Sequence, residues 1–511
     1  MSTFALPTGW AIASIADVIC EVRTTDPSTR PGAEITYFDI SSIDNEAGRV
    51  FATKVVLGAD APSRARQVVQ AGDVLFSTVR PNLRAIALVP AVANGIASTG
   101  FCVLRAAQSI DPNYLYFYAR SEGFLDALLP LARGVSYPAV RSGDVISQLI
   151  PLAPAAEQTR IVEKLEELLS DLDAGVAELK AAQKKLAQYR QSLLKAAVEG
   201  ALTADWRSAR SLANEETETG AQLLARILTE RRSRWQARQL AKFQAQGKTP
   251  PKDWQTKYPE PVAPDAAGMP ALPQGWVWAS LDMLSEIQGG IQKQPSRAPI
   301  QNMYSFLRVA NVARGLLKLD EVHKVELFNG EPERLVLQKG DLLIVEGNGS
   351  LSEIGRCAVW DGSIENTVHQ NHLIRARPVL MESQFIETWL NSLRGIEKMT
   401  KLAATTSGLY TLSVGKISKI PVPVPSLIEQ RVCVGLLDSA LEQQKRQLES
   451  VGFGLKQSAA QRKNILQAAF SGQLVPQDPA DEPASALLAR IRAERAGQPK
   501  LRKSRQIREV L

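Results

Sequence analysis

Two hydrophobic patterns alternate along the chain, and each occurs twice. Short apolar, β-branched runs bounded by turn residues come first: ITYFDISSI (35–43), DVLFSTV (73–79) before a breaking RPN, then AIALVP and FCVLRA. Runs of this kind predict strands. DPNYLYFYARSEGFLDALLPLA (111–132) opens on Asp-Pro and shifts to helical spacing, which predicts one helix. The order returns as SFLRVANV, DLLIVEG, CAVW and HLIRAR, followed by a helix over about 382–402. Each of these stretches reads as an α+β domain.

The second pattern has a period of seven. Leu165, Leu172, Leu179, Leu186 and Leu193 are seven apart, with Ile161, Leu168, Gly175, Ala182 and Tyr189 on the companion edge. Five such repeats predict a coiled-coil helix, and the small Gly175 and Ala182 would let a partner approach closely. In the second copy Val434, Leu441, Leu448 and Leu455 form one edge, and Leu437, Val451 and Ile465 the other. Gln444 and Ser458 interrupt that edge; a buried polar residue costs stability but can fix register. Each helix spans about 43 residues, or about 65 Å at 1.5 Å per residue. The expected partner of each is the equivalent helix of the other copy, meeting through Leu165, Leu172, Leu179, Leu186 and Leu193 on one side and Leu437, Leu441, Leu448, Val451 and Leu455 on the other. The roughly 70 residues between them are enough chain to return along the first helix, so the pair is expected to run antiparallel.

The duplication extends to short motifs. LPTGW at Trp10 returns as LPQGW at Trp276, an offset of 266. AGDVLFSTVR (71–80) answers to KGDLLIVEGN (339–348), and FCVLRA to HLIRAR with Arg105 over Arg375. GDVISQLIPLAPAAEQTRIV (143–162) matches GKISKIPVPVPSLIEQRVCV (415–434), and LLKAAVEGAL (193–202) matches ILQAAFSGQL (465–474), both at an offset of 272. The offset drifts within the strand-rich part and then stays fixed, as expected of loops followed by a continuous packed helix. The expected architecture is α+β: two recognition domains joined by two long antiparallel coiled-coil helices, with internal two-fold pseudo-symmetry. Its segments are a first domain (1–155), a first helix (156–203), a basic linker with a helix (204–270), a second domain (271–426), a second helix (427–473) and a basic tail (474–511). Both tryptophans read as packing residues.

Composition narrows the class. The 45% apolar and 22% charged shares are those of a folded protein, no stretch approaches the ~20 apolar residues that span a membrane, and the N-terminus shows no signal peptide. The four cysteines form no CxxC, which fits a reducing compartment. The net charge of +7 is concentrated: residues 205–258 hold 11 Lys/Arg against 6 Asp/Glu, and 487–511 hold 8 against 2. Such runs read first as solvated faces or tails and only second as polyanion contacts. The stretch 226–242 reads as an amphipathic helix that could pack on a partner subunit, touch phosphates or lie along the coiled coil.

Candidate catalysis is sparse. The sequence has no GxxxxGK[ST], no GxGxxG after a strand, no [DNS]PP[YFW] for holding an extrahelical base, no HExxH and no GxSxG. His369 and His372 form an HxxH in strand-like sequence, where i and i+3 face opposite ways, so no metal site is expected. A binding subunit is the better reading than a stand-alone nuclease or methyltransferase; a coiled-coil scaffold without DNA specificity is the alternative.

The repeated LPxGW openings, the GDVLF/GDLLI strands, the IPLAPAAEQTRIV/IPVPVPSLIEQRV junctions and the LLKAAVEGAL/ILQAAFSGQL helix ends, in one order across nearly the whole chain, resemble the specificity subunits of Type I restriction–modification systems. The stretch 243–264 is also similar to that of longer members. The resemblance implies that each domain is a target recognition domain reading one half of a bipartite double-stranded DNA site, and that the helices set the spacer. It implies two docked modification (methyltransferase) subunits, restriction subunits as further partners, and a place in the prokaryotic cytoplasm, at the nucleoid, in defence against foreign DNA. The chain itself would bind no cofactor; S-adenosylmethionine, ATP and Mg would sit on the partners.

Base and phosphate contacts need Arg, Lys, Asn, Gln or hydroxyl side chains on loops. In the first domain the candidates are Ser77, Arg80, Asn82 and Arg84, then Arg133, Ser136, Tyr137 and Arg141. In the second they are Asn348, Ser350 and Arg356, then Thr405, Ser407, Tyr410 and Lys416. These loops match in position and differ in side chains, as two readers of different half-sites would.

Overall fold

The computed structural model describes residues 6–134, 136–213, 218–328, 330–347, 353–403 and 411–497. The chain forms two compact units, Met1–Ala181 with Val451–Leu511, and Ala182–Ser450. Two helices of 44 residues each, Ala155–Val198 and Leu427–Phe470, contain the boundary. Each unit therefore owns one strand-rich head and a half of each long helix.

In the first unit Ala11–Ser14 pairs antiparallel with Leu149–Leu152, returning the chain to its starting edge just before the long helix. The head has two sheets. In one, Phe101–Ala106 lies between Ile19–Cys20 and Val74–Ser77, and the sheet continues through Ile86–Leu88. In the other, Gly95–Ser98 lies between Ala65–Val69 and a parallel neighbour, Glu34–Phe38. The second unit repeats this order. Val277–Ser280 pairs with Pro421–Val424, Leu373–Pro378 lies between Ser285–Gly289 and Leu342–Val345, and Met303–Leu307 runs parallel to Thr367–His369.

Three expectations are corrected in detail. The strand expected over 35–43 ends at Phe38, because Asp39 and Ser42 bond reciprocally across a short 3-10 turn. The helix expected over 111–132 is two, Pro112–Ala119 and Glu122–Leu128, and that over 382–402 is two, Ser383–Asn391 and Leu393–Ala403. Each break is a serine in extended conformation whose hydroxyl accepts the N–H three residues on, Ser121 from Phe124 and Ser392 from Gly395. The partner of Arg105 in the repeat is Arg377, not Arg375: Arg105 pairs with Asp73, and Arg377 with Asp341, each through two nitrogens at 2.6–2.9 Å.

One device joins head to helix in both units. The Glu-Gln pair at the start of each long helix is a two-pronged clasp. The Trp10 indole N–H donates to Glu157 Oε2 at 3.0 Å, and that of Trp276 to Glu429 Oε2 at 2.9 Å. The glutamine beside each carboxylate takes the backbone N–H of the residue capping the head's helix, Gln158 from Asp111 and Gln430 from Glu382. Its amide donates to the carbonyl five residues back, Ala153 or Pro425. The packing role expected of the tryptophans is thus joined by a directional bond.

The clasps differ in charge balance. Glu429 Oε1 also accepts from Thr203 at 2.7 Å and forms an ion pair with Arg207. Glu157 forms no ion pair among the described residues; beyond Trp10, Gln477 lies beside its carboxylate and Arg160 acts on it at longer range. Burial raises the Glu157 carboxyl above its ordinary range, against the opposing effects of Trp10 and Arg160.

Within each unit the two helix segments run antiparallel. In the first, Asp173 pairs with Arg462 and Leu179 covers Gly454. In the second, Gln444 faces Leu186, and the Cys433 thiol donates to the Ala197 carbonyl. Leu165, Leu193 and Leu437 are buried; Leu172, Leu179, Leu186, Leu441, Leu448, Val451 and Leu455 are half-buried. On the companion edge Ile161 is buried and Leu168 and Ala182 are half-buried. Gly175 and Tyr189 are exposed, a Cβ at Gly175 would meet nothing, and Leu169 and Val176 lie inward instead. The close-approach glycine is Gly454, where an added Cβ would lie 3.2 Å from Leu179 Cδ1. Gln444 is 2% exposed and donates to the Leu186 carbonyl at 2.7 Å, so the polar interruption on this seam bonds across it.

Gly220–Ala245 is a helix whose Leu223 and Ile227 enter the core of the second unit. Arg231 and Arg238 pair with Asp282 and Glu286 of the head, and Trp235 stacks on Trp254 of the returning chain. The basic helix thus packs on its own head, an option outside the three expected.

Two predictions follow from these contacts. Gln444→Leu removes a buried amide but leaves the Leu186 carbonyl its intrahelical bond, so the thermal midpoint should hold or rise; a loss above about 1 kcal/mol would show the amide to be a net stabiliser. Glu429→Gln strands Arg207 and should cost about 2–4 kcal/mol, whereas Glu157→Gln should be neutral or stabilising at pH 7. Because the Glu157 pKa is raised in the fold, its ionisation opposes folding as pH rises above the ordinary carboxylate range. Acidification from pH 7 into that range should therefore stabilise wild type more than Glu157→Gln, and equal gains would contradict the assignment.

Candidate nucleic-acid interface

Backbone hydrogen bonds tie the loops of the first head into a row. Val140 N–H donates to Thr78, Thr78 to Gly100, Thr99 to Arg64 and Thr25 to Arg66. Val79 also bridges Ala139, which brings the two candidate loops of this head together. Arg80, in a left-handed conformation, donates to the Ser136 carbonyl and lays its guanidinium 4.4 Å from the Tyr137 ring. Tyr137 is 70% exposed, and Asn82, Arg133, Ser136 and Arg141 are exposed around it. This is a cationic and aromatic patch with free polar edges.

Two candidates lie apart from the patch. Ser77 is 1% exposed and its hydroxyl donates to the Val79 carbonyl, so it shapes the loop from inside. Arg84 turns away, pairs with Glu122 at 2.5 Å, and lines a cleft of about 380 Å³ that also includes Asp173 and Arg462.

Among the described residues the second head carries a corresponding but shorter row, without the link that residues 64–66 make between Thr99 and Thr25 in the first. Leu412 N–H donates to Glu346, Glu346 to His372 and Asn371 to Ile291, and Gly347 bridges Thr411 where Val79 bridges Ala139. Arg356 pairs with Glu353 at 2.6 Å and reaches the Val309 carbonyl, and Arg314 donates to the Ile354 carbonyl. Burial, with Arg356 adding to it, lowers the Arg314 pKa. Lys416 spends its ammonium on the Ala403 and Thr411 carbonyls, closing the turn. Asn348, Ser350, Thr405, Ser407 and Tyr410 lie outside the described residues. His369 is buried and bonds the Leu373 carbonyl, whereas His372 is 55% exposed beside Glu346. Among the described residues no group of three or more His, Cys, Asp or Glu is arranged to hold a metal, and no helix is long and apolar enough to cross a membrane.

The structure adds a loop that motif reading missed. Residues 23–30 extend the row in the first head, and 292–302 occupy the matching place in the second. Thr24, Ser28, Thr29 and Arg30 are exposed in one; Gln292, Lys293, Gln294, Gln301 and Asn302 are exposed in the other. The signal was present as DPS (26–28) over QPS (294–296), at the offset of 268 that relates the central strands.

No protein-family model matches the chain. It is 24% identical to the Type I restriction enzyme EcoKI specificity subunit of Escherichia coli K12 over 97% of both chains. It is 25% identical to the StySPI specificity subunit of Salmonella potsdam, over 78% of this chain and 74% of that one. Among solved structures, a chain from work on complex assembly and conformational transition of the type I R-M system matches 92% of this chain and 100% of its own, with a TM-score of 0.68 and 26% identity. The HsdS subunit from Thermoanaerobacter tengcongensis matches 92% and 99%, with a TM-score of 0.51 and 27% identity. In sequence along nearly its whole length, and in fold, this chain is a homologue of the specificity subunits of Type I restriction enzymes.

Proposed function

We propose that this chain is the sequence-specific DNA-recognition subunit of a Type I restriction–modification complex, each head reading one half of a bipartite site. The observation that carries this reading is the repeated row of loops. The two scaffolds correspond, and at the matching edge loops one copy exposes Thr24, Ser28, Thr29 and Arg30 where the other exposes Gln292, Lys293 and Gln294. A common mount with different side chains suits two halves of different sequence.

The chain's part is recognition rather than catalysis. Methyl transfer belongs to two modification subunits that bring S-adenosylmethionine, and DNA cleavage to restriction subunits that use ATP and Mg. The complex works on double-stranded DNA in the prokaryotic cytoplasm. The two 44-residue helices act as a spacer of fixed length.

The spacer reading gives a direct test. One heptad inserted into both helices adds about 10 Å, or about three base pairs of B-DNA in the linear limit. Methylated sites should then keep both half-sequences and gain about three base pairs between them; an unchanged gap would refute the ruler. Arg80→Ala and Tyr137→Ala should relax or weaken recognition of one half-site, with about 1–3 kcal/mol lost in discrimination for a base contact. Binding measured across single-base variants of the site separates this from a phosphate contact, which lowers affinity for every sequence alike.

A further inference from the structure

The second head contains a polar group that its duplicate lacks. Gln288, His369 and Arg375 occupy the register positions of Val22, Ala97 and Val103, and in the first head those three belong to one apolar core. Arg375 is 4% exposed and His369 is 1% exposed. Arg375 donates to Gln288 Oε1 at 2.5 Å and to the Arg334 carbonyl at 3.1 Å; among the described residues it forms no ion pair, and Asp341 and Glu286 act on it only at longer range. Its neighbour Arg377 takes Asp341. Among the described residues, Arg375 Nε, Gln288 Nε2 and His369 Nε2 have no hydrogen-bond partner. A buried guanidinium with no carboxylate in contact is unfavourable. In the first head the strand Ala65–Val69 covers Ala97; among the described residues the second head's sheet has no such strand, and the loop entry Gly290–Ile291 lies against His369 and Gln370 there instead.

Apart from the His369 Nδ1 bond to the Leu373 carbonyl, the ties from this group lead to one loop. Gln288 is the last side chain before Gly289-Gly290, and Gly290 passes so close to strand 367–370 that a Cβ would lie 2.3 Å from the His369 and Gln370 carbonyls. Ile291 then donates to the His369 carbonyl. The Arg334 carbonyl belongs to the turn Pro332–Leu335, which follows Glu331. Glu331 holds Arg297 through two contacts of 2.8 Å, and Arg297 is the middle of the loop. The loop's far end is fixed where Glu326 accepts the N–H groups of Ile300, Gln301 and Asn302. Arg375 therefore stands behind both the entry and the clamped middle of residues 292–302. Gln292, Lys293 and Gln294, exposed on this loop, carry donors and acceptors of the kind that read base edges.

We infer that Gln288, His369 and Arg375 form a positioning group that mounts the 292–302 loop and so sets the half-site specificity of the second head. The inference rests on the DNA-recognition reading above. It gives the second head a polar mount where the first has an apolar one, so the two heads differ in the support of a reading loop as well as in its side chains.

The test uses the full chain co-expressed with its modification subunits, with methylated motifs determined by single-molecule sequencing. The triple variant Gln288→Val, His369→Ala, Arg375→Val installs the first head's core. It should keep the half-site read by the first head and the spacer, and lose at least 10-fold in discrimination, or change bases, at the other half-site. Arg375→Lys, which keeps the charge but cannot span both acceptors, should relax the same half-site alone, and it carries the test if the triple variant fails to fold. Unaltered discrimination in the folded triple variant, or in Arg375→Lys, overturns the inference, as does an equal loss at both half-sites. A wild-type complex that methylates no bipartite motif instead overturns the DNA-recognition reading itself.

Discussion

The structure depends on an indole N–H bonded to a buried carboxylate. Trp10 and Trp276 stand at the first strand of each head, and Glu157 and Glu429 one turn into each long helix. The neighbouring glutamines seize the start of the head's helical layer at the same point. Head orientation on its helix is therefore set by directional bonds made in a dry site, where they are stronger than at a surface and costly to leave unmade. A recognition surface on loops is useful only if its mount is rigid, and this clasp is the mount in both units.

The duplication has not kept the two copies chemically equal. The second clasp is neutralised by Arg207 and Thr203; the first has no ion pair among the described residues. The second head carries a buried arginine where the first has valine. The backbone scheme is shared and the side-chain solutions are separate, as in a chain whose two halves must bind different sequences on one common duplex.

Much of this is legible in the sequence itself. Period-seven leucines located both long helices, and the fixed offset of 272 joined them to their junctions. Strand-sized apolar runs located the paired strands of each head. What escaped has physical causes. Ser121 and Ser392 break helices by capping, a choice their neighbours' spacing does not reveal. On the companion edge Val176 lies inward in place of Gly175, while Ile161 and Ala182 keep their expected places. Arg375 was aligned with Arg105 by adjacency in sequence, whereas strand register gives that place to Arg377. Among the interface candidates, Arg80 and Tyr137 proved adjacent, while Ser77 was buried and Arg84 and Lys416 were committed to local partners. Loop residues of one composition differ in role according to which way the chain turns, and composition does not encode that.

The central claim is that one chain reads two half-sites held a fixed distance apart. Its most direct test is the adenine methylation pattern of DNA from cells expressing this chain with its modification subunits. The account predicts a single bipartite motif, two specific half-sequences with an invariant gap of unspecified bases. Methylation at one continuous sequence, or at two half-sequences with a variable gap, would contradict it.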